Sequence, residues 1–275
     1  MPDTIPIVPN TQHGKGPNVT YQFQLGIPAN ARGLIWHEFF FLRGRGRDWA
    51  THLPWAQDQG TFSATAMQSG ITLATLVIRR SYDTSLAMVG FVCVESAARG
   101  QGLSATLIDF AAAAASIHGF KEMMLWTTKP RVYERCGFAV CQTEERLSLD
   151  LTRKRPAKSP LLQPWPNANV TSVGLPPFAR SCWSAETPTA RIVFADTPTG
   201  PTLLDHQGRA DAVLDLAMQA QPGTWSAVLR SNDALCVQAK LGGFVSARAH
   251  GPVTMFRSLS GEPHPPAYIP PAFRI

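Results

Sequence analysis

The stretch Arg99-Gly100-Gln101-Gly102-Leu103-Ser104 combines a fixed positive charge, two glycines and a small hydroxyl residue. Glycine reaches the left-handed backbone that lets a chain approach a ligand closely, and the first amides of a helix have no intrahelical acceptor. Arg99 and the amides of Gly100 to Ser104 therefore suit a phosphate or diphosphate. A second stretch, Val132-Tyr133-Glu134-Arg135-Cys136-Gly137-Phe138, sets a phenol four residues ahead of a Gly-Phe pair. A phenol has a pKa of about 10, so Tyr133 is a neutral proton donor at ordinary pH. Glu95, just before the turn, is a candidate to take a proton through water, with Glu38, His37 and His52 as alternatives, none of them singled out by spacing.

Other chemistries find less support. The histidines 13, 37, 52, 118, 206, 250 and 264 form no His-x-x-x-His pair and have no carboxylate at a ligand spacing, so no metal site is expected. Cys93, Cys136, Cys141, Cys182 and Cys236 are odd in number and scattered, which reads as reduced and mostly buried thiols. There is no Gly-x-Ser-x-Gly elbow for a nucleophilic serine.

The elements that must position these residues follow from periodicity and breakers. Tyr21 to Leu25 alternates as a strand, Ala31 to Leu42 has an apolar helix face, and Trp49 to Trp55 reads as a loop. Thr61 to Ala66, Thr72 to Arg80 and Ser85 to Val94 form an antiparallel meander, with turns at Gln68-Ser69-Gly70 and Tyr82-Asp83-Thr84. Ser104 to His118 is a helix stopped by Gly119, and Met123 to Thr128 is a buried strand. Lys129-Pro130 opens a short helix closed by Gly137-Phe138, with two further strands near Ala139 to Gln142 and Glu144 to Leu151.

This order, with its turn and its tyrosine, resembles the GNAT superfamily of acyl-CoA-dependent N-acetyltransferases over about residues 21–151. Arg99, Gly102 and Ser104 match its Arg-x-x-Gly-x-Gly/Ala signature, with serine at the last position. The resemblance implies an α/β fold, a mixed, mostly antiparallel twisted sheet flanked by helices. It also implies acetyl-CoA as co-substrate, held at its diphosphate by Arg99, Gly100, Gln101, Gly102, Leu103 and Ser104. The pantetheine arm would lie along Val92, Cys93 and Val94, where an amide meets the oxyanion, and Tyr133 would be the acid. The first helical region, with His37, Glu38, His52 and Trp55, would shape the acceptor pocket.

Residues 153–180, with the Arg153–Lys158 basic cluster and several prolines, read as an interdomain linker. Residues 181–275 read as a second, smaller GNAT-like unit with strands at Arg191 to Ala195, Pro201 to Leu204 and Thr224 to Arg230, and helices at Ala210 to Gln221 and Asp233 to Leu241. Ala105 to Gly137 and Ala210 to Gly243 differ in length by one residue, and both end in Gly-Phe before an expected pair of strands. Leu204 to Arg209 stands opposite the phosphate turn but carries Asp205, and the Tyr133 position falls near Gln238 or Ala239. This copy is expected to be degenerate, with a draped proline-rich tail from Gly261.

The organisation expected is thus a catalytic domain at residues 1–152, a linker at 153–180 and a degenerate domain at 181–275. A net charge of +6 suits anionic ligands without choosing among them, and Arg43, Arg45 and Arg47 read as a solvated loop. No apolar run is long enough to span a bilayer, and no signal peptide is evident in the first residues, so a cytoplasmic protein is the default. The activity expected is acetyl transfer from acetyl-CoA to a small-molecule or peptide primary amine, with a homodimer left open. One alternative is a longer acyl donor on CoA or an acyl carrier protein, since Leu34 to Trp49 resembles the amino-terminal region of acyl-homoserine-lactone synthases. The other is a non-catalytic acyl-CoA sensor or nucleic-acid-binding module.

Overall fold

The computed structural model describes residues 19–81, 85–152, 160–166, 173–261 and 268–275. The polar lead before residue 19, the turn at 82–84, the basic cluster at 153–158 and the prolines at 263, 265 and 266 lie outside them. The first half runs β1 (Thr20–Leu25), α1 (Ala29–Phe39), a 3-10 turn (Phe41–Arg43), α2 (Trp49–His52), β2 (Thr61–Gln68), β3 (Ile71–Arg80) and β4 (Leu86–Val94). A 3-10 turn (Ser96–Ala98) then leads to α3 (Leu103–Ile117), β5 (Glu122–Thr127), α4 (Pro130–Glu134) and β6 (Ala139–Asp150). The second half runs β7 (Gln163–Pro164), β8 (Ser181–Glu186), β9 (Ala190–Asp196), β10 (Thr202–Gly208), α5 (Ala210–Ala220), β11 (Thr224–Arg230), α6 (Ala234–Leu241), β12 (Val245–Ser258) and a 3-10 turn (Pro271–Phe273).

The strands form one 12-stranded sheet in the order β1-β2-β3-β4-β5-β12-β6-β11-β10-β9-β8-β7. Among the described residues only β4–β5 and β10–β11 pair in parallel, each joined by a crossover helix. On α3 the buried residues Leu103, Leu107, Ile108, Ala111, Ala112, Ala114 and Ala115 recur at helical spacing, and the alanines let the helix lie close on Ala64, Ala66, Ala74 and Ala87. Truncating Leu107 would remove about 2–5 kcal/mol of stability. Beneath α5, Val213, Leu214 and Ala217 meet Leu147, Leu149, Trp225 and Ala227 in a second core.

The halves exchange strands. Each Gly-Phe was expected to precede two strands of its own unit. Instead β6 is a single strand that pairs with β11 from Glu144 to Asp150, and β12 is a single strand between β5 and β6. Gly251-Pro252 forms a bulge in β12: Glu145 pairs with His250 and Thr143 with Val253. A Cβ on Gly251 would lie 2.8 Å from the Glu144 carbonyl oxygen, so the bulge needs glycine there.

The described part of residues 153–180 packs onto the fold. Trp165, Val173 and Leu175 are buried with Cys182 and Val193, and the Leu175 amide donates to the Thr51 carbonyl at 3.0 Å. Strand β8 and helix α2 were both unanticipated: β8 is the first arm of a hairpin with β9, and α2 is a single turn capped by Asp48, which accepts from the Thr51 amide at 2.8 Å. In the second half Leu204 to Gly208 belongs to β10 rather than to a turn, and Arg209 alone separates β10 from α5.

Candidate active site

The turn after β4 is built as an anion nest. Gly100 and Gly102 have φ of 81° and 76°, and a Cβ on either would meet nothing within 4 Å, so glycine serves the left-handed conformation rather than close packing. Gly102 is the N-cap of α3 without a side-chain cap, and its carbonyl accepts from Ala105 and Thr106. The amides of Gly100, Gln101, Gly102, Leu103 and Ser104 have no acceptor among the described residues. Arg99, about half exposed, donates to the Val94 carbonyl at 3.1 Å and to Glu38 Oε2 at 2.6 Å, tying the turn to α1.

Glu95 has a different role from the one expected. Its carboxylate accepts from the Ala97 amide at 2.7 Å and the Ser96 hydroxyl at 2.9 Å, capping the 3-10 turn. The Ser96 hydroxyl foremost holds its pKa below the usual carboxylate range, which makes Glu95 a weaker base.

Beside the turn, β4 parts from β5. Their pairing ends at Met88 opposite Met124, while β4 continues to Val94 and β5 to Thr127. Thr75 pairs with Cys93 and Val77 with Gly90, so Phe91 and Val92 bulge opposite Leu76. Phe91 takes a φ of 50°, a strained value for an aromatic residue. The bulge leaves the β5-facing backbone of Val92 to Val94 without a ladder partner. Phe91 was not singled out from sequence; Gly90 inside an apolar strand was the available signal. Burial pushes the Cys93 thiol up to about 12, with the Glu38 charge adding to it, so Cys93 stays protonated.

Tyr133 lies on α4, half-buried, its ring edge-on to Phe138 at 6.2 Å. Burial, and then the neighbouring Cys136, raise its pKa, which preserves the phenol as an acid. Its hydroxyl has no hydrogen-bond partner among the described residues.

The acceptor-side candidates separate into two groups. His52 is buried: its Nε2 accepts from the Arg47 amide at 3.0 Å, so its Nδ1 donates to the Leu175 carbonyl at 2.7 Å. Trp55 is buried under the Arg79 guanidinium, which lies 4.8 Å from its ring. Both hold structure. Glu38 reaches Arg99, and His37 stacks on Phe41 at the edge of a concave surface of about 590 Å³ with Arg32, Trp36 and Trp49. The tail joins this region unexpectedly, since a Cβ on Gly90 would lie 2.6 Å from the Ile275 backbone oxygen. Arg274 holds the tail by an ion pair to the fully buried Glu144, at 2.8 Å. No helix is long and apolar enough to cross a membrane, and no three potential metal ligands cluster among the described residues.

Residues 30–138 match the acetyltransferase (GNAT) family. The chain is similar in fold to a GCN5-related N-acetyltransferase from Anabaena variabilis, at 14% identity and a TM-score of 0.60, over 87% of this chain and 73% of that one. It is similar to another from Kribbella flavida at 14% identity and a TM-score of 0.53, over 87% and 72% of the two chains. A tandem GNAT protein from the clavulanic acid biosynthesis pathway matches at 10% identity and a TM-score of 0.55, over 88% of this chain and all of that one. No curated protein matches the sequence. Residues 30–138 are therefore an acetyltransferase (GNAT) family domain, and the chain that carries it has the GNAT fold.

Proposed function

We propose that the first half moves an acetyl group from acetyl-CoA to a primary amine by direct attack within a ternary complex. The observation that carries this reading is the row of unpartnered amides from Gly100 to Ser104 beside the open edge of β4. A diphosphate would accept from those amides, with Arg99 supplying charge, and no metal is required for that. The pantetheine amides would pair with Val92 to Val94 as an added strand does, and a β4 amide would donate to the oxyanion. Tyr133 would return a proton to the departing sulfur, since burial keeps its phenol protonated.

The amine must lose a proton before it attacks. Glu95 is capped and acid-shifted, so Glu38 is the better placed carboxylate once a diphosphate competes for Arg99. The proposed catalytic domain spans residues 1–152, and the closeness of the Ile275 backbone to Gly90 supports a role for the 181–275 unit in walling the acceptor side.

Thiol release from acetyl-CoA, followed across a panel of primary amines, tests the reading. Amine-dependent release that saturates in both substrates is expected. CoA binding with no release from any amine would make the chain a sensor instead.

A further inference from the structure

The second half contains a cleft of the same construction. Pairing of β10 with β11 ends at Leu203 opposite Ala227, yet β10 continues to Gly208 and β11 to Arg230. Between them lies a cavity of about 340 Å³, a size suited to a small ligand. Its wall carries charge of both signs, the buried Asp205 and the partly buried Arg191 and Arg230, where a purely structural cleft would carry apolar side chains.

Asp205 is 8% exposed, and its Oδ1 accepts only from the His206 amide at 2.9 Å. No cation lies within ion-pair distance of it among the described residues; burial raises its pKa, and the charges of Arg191 and His206 oppose that rise from farther off. Arg191 lines the same cavity without an ion pair among those residues. Arg230 is incompletely used: its Nη2 is 3.8 Å from Asp233, its Nε is buried with no partner, and its guanidinium lies 4.2 Å from the Tyr268 ring centre. Asp233 is already committed to the Leu235 amide and to His206.

An anion alone would be repelled by Asp205, and a cation alone by Arg191 and Arg230. A molecule bearing both charges satisfies each side, and Leu203, Val228, Leu229 and Phe273 supply an apolar wall for the remainder. We propose that this cleft binds an amino acid with an apolar side chain, its ammonium on Asp205 and its carboxylate on Arg191 and Arg230. The site takes the place that the first half gives to acyl-CoA, but without the phosphate turn, and so suits a smaller ligand. It does not depend on the activity proposed for the first half.

Calorimetric titration of the full chain with L-leucine, L-methionine and L-phenylalanine tests this directly. At least one should bind saturably with one site per chain and a Kd of about 1 mM or tighter. For the best binder, the analogue lacking the amine and the one lacking the carboxylate should each bind at least about tenfold more weakly, the loss of one charged hydrogen-bonded contact. With leucine these are 4-methylpentanoate and 3-methylbutylamine. Asp205→Asn and Arg230→Gln should weaken binding similarly while CoA binding stays unchanged. Absence of saturation by all three amino acids overturns the proposal, as does binding of either analogue at full strength. The analogues act on the unaltered protein, so the test stands even where a variant fails to fold.

Discussion

The two clefts differ less in their strands than in the connections from strand to helix. In both, a parallel pair parts partway along, after Met88 and Met124 in one and after Leu203 and Ala227 in the other. After β4 the chain spends Glu95 to Gly102 on a capped turn with two left-handed glycines; after β10 it enters the helix through Arg209 alone. Where the first half has the half-buried phenol of Tyr133, the second has Ala239, fully buried. An open strand pair is thus a property of the scaffold, while the inserted turn and the phenol are the features on which the proposed thioester chemistry of one cleft rests.

The largest effect expected from breaking this contrast is at Tyr133. Tyr133→Phe should lower kcat by about 10²- to 10⁴-fold with CoA affinity unchanged. Because burial raises the phenol's pKa, its acid form persists beyond the ordinary tyrosine range. The wild-type rate should therefore hold until pH exceeds about 10, and a decline that begins well below this would remove the phenol as the titrating acid. Next in size is the tie between the halves. Arg274→Ala strands the buried Glu144 carboxylate and should cost about 3–5 kcal/mol in urea unfolding. An unchanged midpoint would mean that the tail does not join the halves.

Smaller effects sharpen the description of the turn. Arg99→Ala should weaken CoA binding by about tenfold or somewhat more, the loss of a charge-assisted contact. Glu38→Gln should leave CoA affinity equal or improved, because it frees Arg99; weaker binding would show that Glu38 orients the arginine rather than competes for it. Smallest is Glu95→Gln, which should hold kcat within about threefold and keep the acid limb of its pH profile. Loss of that limb would restore Glu95 as the base.

Local chemistry was legible in the sequence. The Gly100 and Gly102 turn, the helix after it and the spacing from Tyr133 to Gly137-Phe138 involve near neighbours, and β1 to β5 with α1, α3, α4, α5 and α6 lie within a few residues of where periodicity puts them. The strand exchange was hidden because pairing of β12 with β5, or of β6 with β11, leaves no mark on local alternation. Gly251-Pro252 has the composition of a turn, and only the strand opposite makes it a bulge. His52 has the look of an available base in the sequence, yet Leu175, remote along the chain, occupies its Nδ1. Asp205 reads as part of a lost phosphate turn because the second half deletes that turn, which shifts any residue-by-residue alignment onto β10.

Central to this comparison is a single CoA site per chain, at the turn of the first half. Isothermal titration of CoA into the wild-type chain and into Gly102→Val measures this directly. A β-branched residue cannot adopt the φ of 76° without strain, yet it meets no protein atom, so the fold should survive. One site per chain is expected in the wild type and none in the variant. Two sites per chain, or undiminished binding in Gly102→Val, would contradict the assignment of CoA to this turn alone.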